Sequence, residues 1–165
     1  MKKILASVLA LLLLNMHTAA LAKVHVPNNT EIILAPVEKV TSQNPQPTIR
    51  AEIREDVIIN GTVIFKSGDR AEFNICDYEK ASYLGVAGSM TVYNGYAYDT
   101  KGNKHKVLIN KNFVGKQQIW AQILASLSLT IILFPLALFA FVHGTNATIT
   151  PGTELYTMLY EGFEY

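Results

Sequence analysis

Near its C-terminus the chain reads Ile149-Thr150-Pro151-Gly152-Thr153-Glu154-Leu155, and near its start it reads Val26-Pro27-Asn28-Asn29-Thr30-Glu31-Ile32. Each stretch holds a proline, then residues that tolerate positive φ, then Thr-Glu and a β-prone run. Pro151 before Gly152 is the order a type II turn wants. Two strands opened by the same turn, one at each end, predict a single β-domain closed by its own termini. Pro27, Asn60, Gly61, Pro151 and Gly152 are the turn residues expected to set its register.

Working inward, residues 31–40 read as a strand interrupted by Pro36, which predicts an edge position or a bulge. Residues 41–47 form a polar loop. From 49 the pattern alternates, with Ile49, Ala51 and Ile53 on one face and Arg50, Glu52 and Arg54 on the other, as a half-buried antiparallel strand requires. Asn60-Gly61 is a strong hairpin signal, with a return strand at 62–65. Ser67-Gly68-Asp69 is a further turn before a strand at 71–76. Residues 83–88 carry two glycines and predict a bend. Residues 89–98, rich in Thr, Val and Tyr, read as a strand. A turn at 100–103 leads to a strand at 104–109, then a basic connection at 111–116. The last strand is expected over 154–160. Short strands at this spacing predict a mainly β fold, a small antiparallel barrel or sandwich.

One segment breaks the pattern. Residues 119–142 hold no charged side chain, and their polar members before Pro135 are Gln122, Ser126, Ser128 and Thr130. The length suits a helix crossing a hydrocarbon core of ~30 Å. Pro135 divides it, predicting a helix over 117–134 and a second piece over 136–142. A single crossing would put the last strand on the opposite side of the membrane from the first. The expectation is therefore a late apolar helical insertion, 117–142, that is hairpin-like and returns to the side it left, or that packs between copies of the protein. A core helix flanking the sheet is the other reading, although such helices usually show a polar face. Trp120, Ile123, Leu127, Ile131, Phe134, Leu138 and Phe141 are the residues expected to touch membrane or a neighbouring subunit.

Residues 1–22 read as a signal peptide: Lys2-Lys3, an apolar run at 4–14 and Ala20-Leu21-Ala22 as a cleavage site. The expected location is periplasmic or at an envelope membrane, with residues 23–165 as one domain. The signal holds two of the 14 Lys and Arg and none of the 13 Asp and Glu, leaving 12 against 13. So even a balance does not point to nucleic acid. The single cysteine, Cys76, excludes an internal disulfide and is expected to be buried in a strand. His25, His105 and His143 lack partners at metal spacing, so no metal site is expected, and His105, between Lys104 and Lys106, reads as part of a solvated loop. The pairs Glu55-Asp56 and Asp77 with Glu79 read as strand-end charges. Phosphate-loop and nucleophile-elbow motifs are absent from the sequence, so neither catalysis nor a cofactor is expected. The sequons at Asn28, Asn60 and Asn146 read as turn residues. Tyr93, Tyr96, Tyr98, Tyr156 and Tyr160 read as cross-strand aromatic packing.

The order of features resembles, distantly, the C-terminal β-domain of the outer-membrane scaffold subunit of type IV secretion and conjugation systems. The matching stretches are Asn29-Thr30-Glu31-Ile32, Thr48-Ile49-Arg50-Ala51-Glu52-Ile53-Arg54-Glu55-Asp56-Val57, Thr62-Val63-Ile64-Phe65-Lys66-Ser67-Gly68, the late insertion, and Ile149 to Leu155 with the tail Glu161-Gly162-Phe163-Glu164-Tyr165. In size the chain is closer to small uncharacterised exported bacterial β-domain proteins with a similar ending. It lacks a Pro-rich stalk and carries a cleavable signal where the scaffold has a membrane anchor. The resemblance implies a shared fold; the signal, the β-domain and the apolar segment together predict a non-enzymatic cell-envelope structural or interaction protein. Its expected partners are membrane lipid or like subunits through 119–142, an envelope protein, or further copies in a homo-oligomer. The alternative is a soluble exported barrel that binds a lipid or other apolar ligand.

Overall fold

The computed structural model describes residues 23–130 and 140–165. The signal segment at 1–22, Pro135, and the contact residues Ile131, Phe134 and Leu138 lie outside the described residues.

Twelve strands follow one another: β1 (His25–Val26), β2 (Glu31–Pro36), β3 (Val40–Thr41), β4 (Thr48–Ile53), β5 (Val57–Ile59), β6 (Thr62–Phe65), β7 (Arg70–Glu79), β8 (Ser89–Tyr98), β9 (Lys104–Val114), β10 (Thr148–Ile149), β11 (Leu155–Leu159) and β12 (Phe163–Glu164). Between β9 and β10 stands one helix among the described residues, α1 (Ile119–Thr130). Six strands close an antiparallel barrel in the order β11-β2-β4-β7-β8-β9 and back to β11. Closure removes the sheet edges.

The two terminal strands meet as the repeated turn predicts. Leu155 pairs with Leu34 and Met158 with Glu31. The turns before them are built alike. Asn29 has φ 61° and Gly152 φ 78°. The next residue in each, Thr30 or Thr153, donates its hydroxyl to the carbonyl three residues back, Pro27 O at 2.7 Å or Thr150 O at 2.8 Å. The Asn60-Gly61 hairpin also forms, with φ 50° and 78°.

The alternation of β4 is as expected: Ile49, Ala51 and Ile53 are buried. With Ile32, Leu34, Phe73, Met90, Val107, Ile109, Leu155 and Leu159 they fill the barrel. Buried side chains of this size contribute roughly 1.5–3 kcal/mol each, so the interior is a packed core.

Pro36 is the last residue of β2 and pairs with Ala51 of β4 alone, the β11 pairing having ended at Leu34, so it stands at a local edge of an otherwise interior strand. There its missing N–H costs nothing, because the chain leaves the sheet for β3. Several expectations are corrected. The basic connection at 111–116 is largely strand, since β9 runs on to Val114 beside β8. Cys76 is exposed. The β7–β8 register shifts on either side of Ile75, and Cys76 falls between the pairs Ile75–Val92 and Asp77–Thr91. The extra residue of a bulge turns outward and breaks the alternation. The acidic-aromatic tail forms a strand of its own, β12, paired with β1.

His105 is not in a solvated loop. It stands on β9 on the same face as Val107, and its Nε2 lies 3.0 Å from Asp99 Oδ2, the side chains being 15% and 1% exposed. Its ring stacks on Phe163 at 3.7 Å and meets the edge of Phe65 at 5.7 Å. Thus β6, β12 and the 99–103 turn close one end of the barrel together. Asp99 also accepts the backbone N–H groups of Lys101 and Asn103 and the Asn103 amide. Burial pushes its pKa up, yet these bonds and His105 hold it below the ordinary value. Of the tyrosines expected to pack on one another, Tyr96, Tyr98 and Tyr160 lie against cations, with Lys104 over Tyr96 at 3.9 Å, Arg70 over Tyr98 at 5.0 Å and Lys106 over Tyr160 at 4.6 Å, while Tyr156 donates its hydroxyl to Glu154 at 3.0 Å.

Candidate functional site: the root of the apolar excursion

The segment after β9 leaves the barrel beside the loop that joins β7 to β8. Gln118 donates its backbone N–H to Gly85 O at 2.8 Å. That bond fixes the chain just before α1, so the helix starts at Ile119 and not at 117 as expected. On the way back, Leu84 and Gly85 donate to Ala140 O and Val142 O at 3.1 and 2.8 Å, and Gly144 donates to Ser82 O at 3.1 Å. One loop, residues 82–88, therefore holds both the departing and the returning chain.

The two legs also bond each other. Thr145 N–H donates to Lys116 O, and Thr145 Oγ1 accepts the Lys116 N–H at 2.6 Å. Two glycines make this approach possible. A Cβ at Gly115 would strike the Thr145 carbonyl oxygen, and one at Gly144 would strike the Val86 carbonyl. Neither position needs positive φ, so the requirement is for space and not for a left-handed backbone. Beneath them, buried Ser42 exchanges bonds with Ala147, and Asn146 Oδ1 accepts the Ala81 N–H at 2.9 Å. The Asn146 sequon is thus a half-buried tie between loops, not the plain turn residue expected.

Around this stem the surface is apolar. Tyr83, Leu84 and Val86 of the loop, Val114 at the end of β9, and Phe141 are exposed, Val114 by 63% and Phe141 by 67%. Tyr83 meets Phe141 edge-on at 6.2 Å and leans on His143 at 4.3 Å. On α1, Ala121 and Ala125 are buried at i, i+4, while Ile119, Trp120, Ile123 and Leu127 are exposed. The helix has no acidic residue in its first turn and no basic one in its last. Of the expected contact residues, Trp120, Ile123, Leu127 and Phe141 are thus exposed, and Phe141 stands against Tyr83 of the 82–88 loop. From its two glycines the sequence predicts only a bend there. Its signal was available in Tyr83-Leu84-Gly85-Val86-Ala87, an apolar run where an ordinary surface loop is polar.

No described helix is long and apolar enough to cross a membrane. Among the described residues no group of His, Cys, Asp and Glu could hold a metal ion. Of the carboxylates in the two sequence pairs, Asp56 accepts the Ser67 N–H at 2.7 Å as a turn cap. No protein-family model matches the chain, and no curated protein matches it.

Proposed function

We propose that this is a non-enzymatic structural or interaction protein of the cell envelope. Its barrel presents the apolar segment after β9 to membrane lipid or to a neighbouring subunit. The observation that carries the reading is the stem. Both legs of the segment are bonded to the same 82–88 loop, so whatever residues 119–139 enter, the chain enters and leaves it on one side. Exposed Val114, Tyr83, Leu84, Val86 and Phe141 ring the base, where a protein seated on an apolar phase needs them. Tyr83 and Trp120 add amphipathic rings suited to an interface.

The test is extraction. The mature protein should sediment with membranes, resist alkaline carbonate and need detergent for release. Replacing residues 119–139 by a short Gly-Ser linker should release a folded barrel. Recovery of the intact protein as a detergent-free monomer would sink the proposal. If that monomer carried a co-purifying apolar molecule, it would be the ligand-binding barrel instead.

A further inference from the structure

Charge is nearly balanced over the whole chain, at a formal +1, yet it is unevenly placed on the barrel wall. On the outer face of β4, β7, β8 and β9 the register puts Arg50 beside Glu72, Glu72 beside Tyr96 and Tyr96 beside Lys106. A second row runs from Glu52 through Arg70 to Lys104, which pairs with Tyr98. Lys101 adds a cation at the turn. Glu52 and Glu72 are the carboxylates among them, and Glu72 is held by Lys104 at 2.5 Å and by Arg70 at 3.4 Å. Across the barrel, by contrast, Tyr156 donates its hydroxyl to Glu154 at 3.0 Å, and that bond, with the negative charge of Glu154, Glu31 and Glu55, raises its pKa. In a neutral protein, segregation of this kind is a matter of placement and creates a directed field.

The cations on the basic wall are held in place. Lys104 lies over Tyr96, Lys106 over Tyr160, Arg70 over Tyr98 at 5.0 Å and Lys101 over Tyr165 at 3.6 Å. Such contacts hold a flexible side chain by ~0.5–1 kcal/mol each at exposed sites. Ring faces occupied in this way are not free to stack on sugars, so the wall suits an anion. Lys104 and Lys106 are two residues apart on one strand, a separation of roughly 6.6–6.8 Å. Same-side residues of an extended peptide repeat at that interval.

We propose that this wall docks an acidic, extended segment of a partner protein, with carboxylates at alternate positions over Lys106 and Lys104 and towards Arg70. The proposal is independent of the apolar excursion, which none of these residues touches.

The experiment measures fluorescence anisotropy of a labelled Glu-Thr alternating decapeptide against the full mature protein, with the Gln-Thr peptide as control. The Glu peptide should bind, the Gln peptide should not, and affinity should fall steeply between about 50 and 500 mM salt. K104Q/K106Q should weaken binding by about tenfold or more. K106Q alone, which removes only the contact over Tyr160, should weaken it severalfold with an unchanged thermal melt. K39Q should have no effect. Equal binding of both peptides, or wild-type binding by K106Q and K104Q/K106Q, would overturn the proposal. So would a failure of the Glu peptide to bind while the same lysines govern binding to phosphatidylglycerol vesicles, or self-association seen by light scattering.

Discussion

Asp99 has the most bonds of any carboxylate described, and its surroundings make it a sensitive residue. Its oxygens take two backbone N–H groups, the Asn103 amide and His105. Asp99→Ala would remove four bonds at once, from the exposed Lys101 and Asn103 and the largely covered His105 ring, an expected loss of about 1–3 kcal/mol and a fall in Tm of several degrees, read by urea and thermal unfolding. The pH dependence has a definite sign. The folded pKa is below the unfolded one, so the stability from ionisation is fully present above the ordinary value of 3.8 and is lost as the pH falls through the lower folded value. The stability gap between wild type and Asp99→Asn should therefore be widest near neutrality and close in acid. A gap that widened in acid would refute the assignment. Cys76 offers a simpler check: exposed at its bulge, it should react stoichiometrically with a thiol reagent in the folded protein. Protection until unfolding would return it to the core. Neither residue was legible in the sequence. Bulges follow from register between strands distant in sequence, and a histidine among lysines reads as solvated until Phe163, far along the chain, is brought against it.

At the scale of elements, the stem depends on backbone contact. Gly115→Val or Gly144→Val would push the two legs from the 82–88 loop, at an expected cost of about 1–3 kcal/mol from overpacking. Hydrogen exchange should locate the loss at Gly85, Gly88 and Gln118, leaving the β2–β11 pair protected. Loss of protection across the whole barrel would show instead that stem and barrel fold as one unit. The elements themselves were largely readable. Alternation placed β4, Asn60-Gly61 placed the β5–β6 hairpin, and β8 begins and ends where its composition said. The short strands β1, β3, β10 and β12 were not, because two residues carry no period; only their tertiary pairing defines them.

For the whole molecule, the repeated turn was the decisive signal, because turn chemistry is local and survives in sequence. Thr30 and Thr153 bond back to carbonyls of their own turns, and the two strands they open then pair to close the barrel. The apolar excursion was visible as composition, but the place that holds it was not. The 82–88 loop becomes a clamp only because β7 and β8 bring it beside Gly115 and Gly144. If residues 119–139 crossed a bilayer once, the positions flanking them would lie ~30 Å or more apart. The direct test is a spin-label distance between Lys116→Cys and His143→Cys, in a Cys76→Ser background, with the protein in lipid vesicles. Feet bonded to one loop predict a short distance, within about two strand spacings of ~4.8 Å plus the labels; a separation matching the bilayer core would contradict the account.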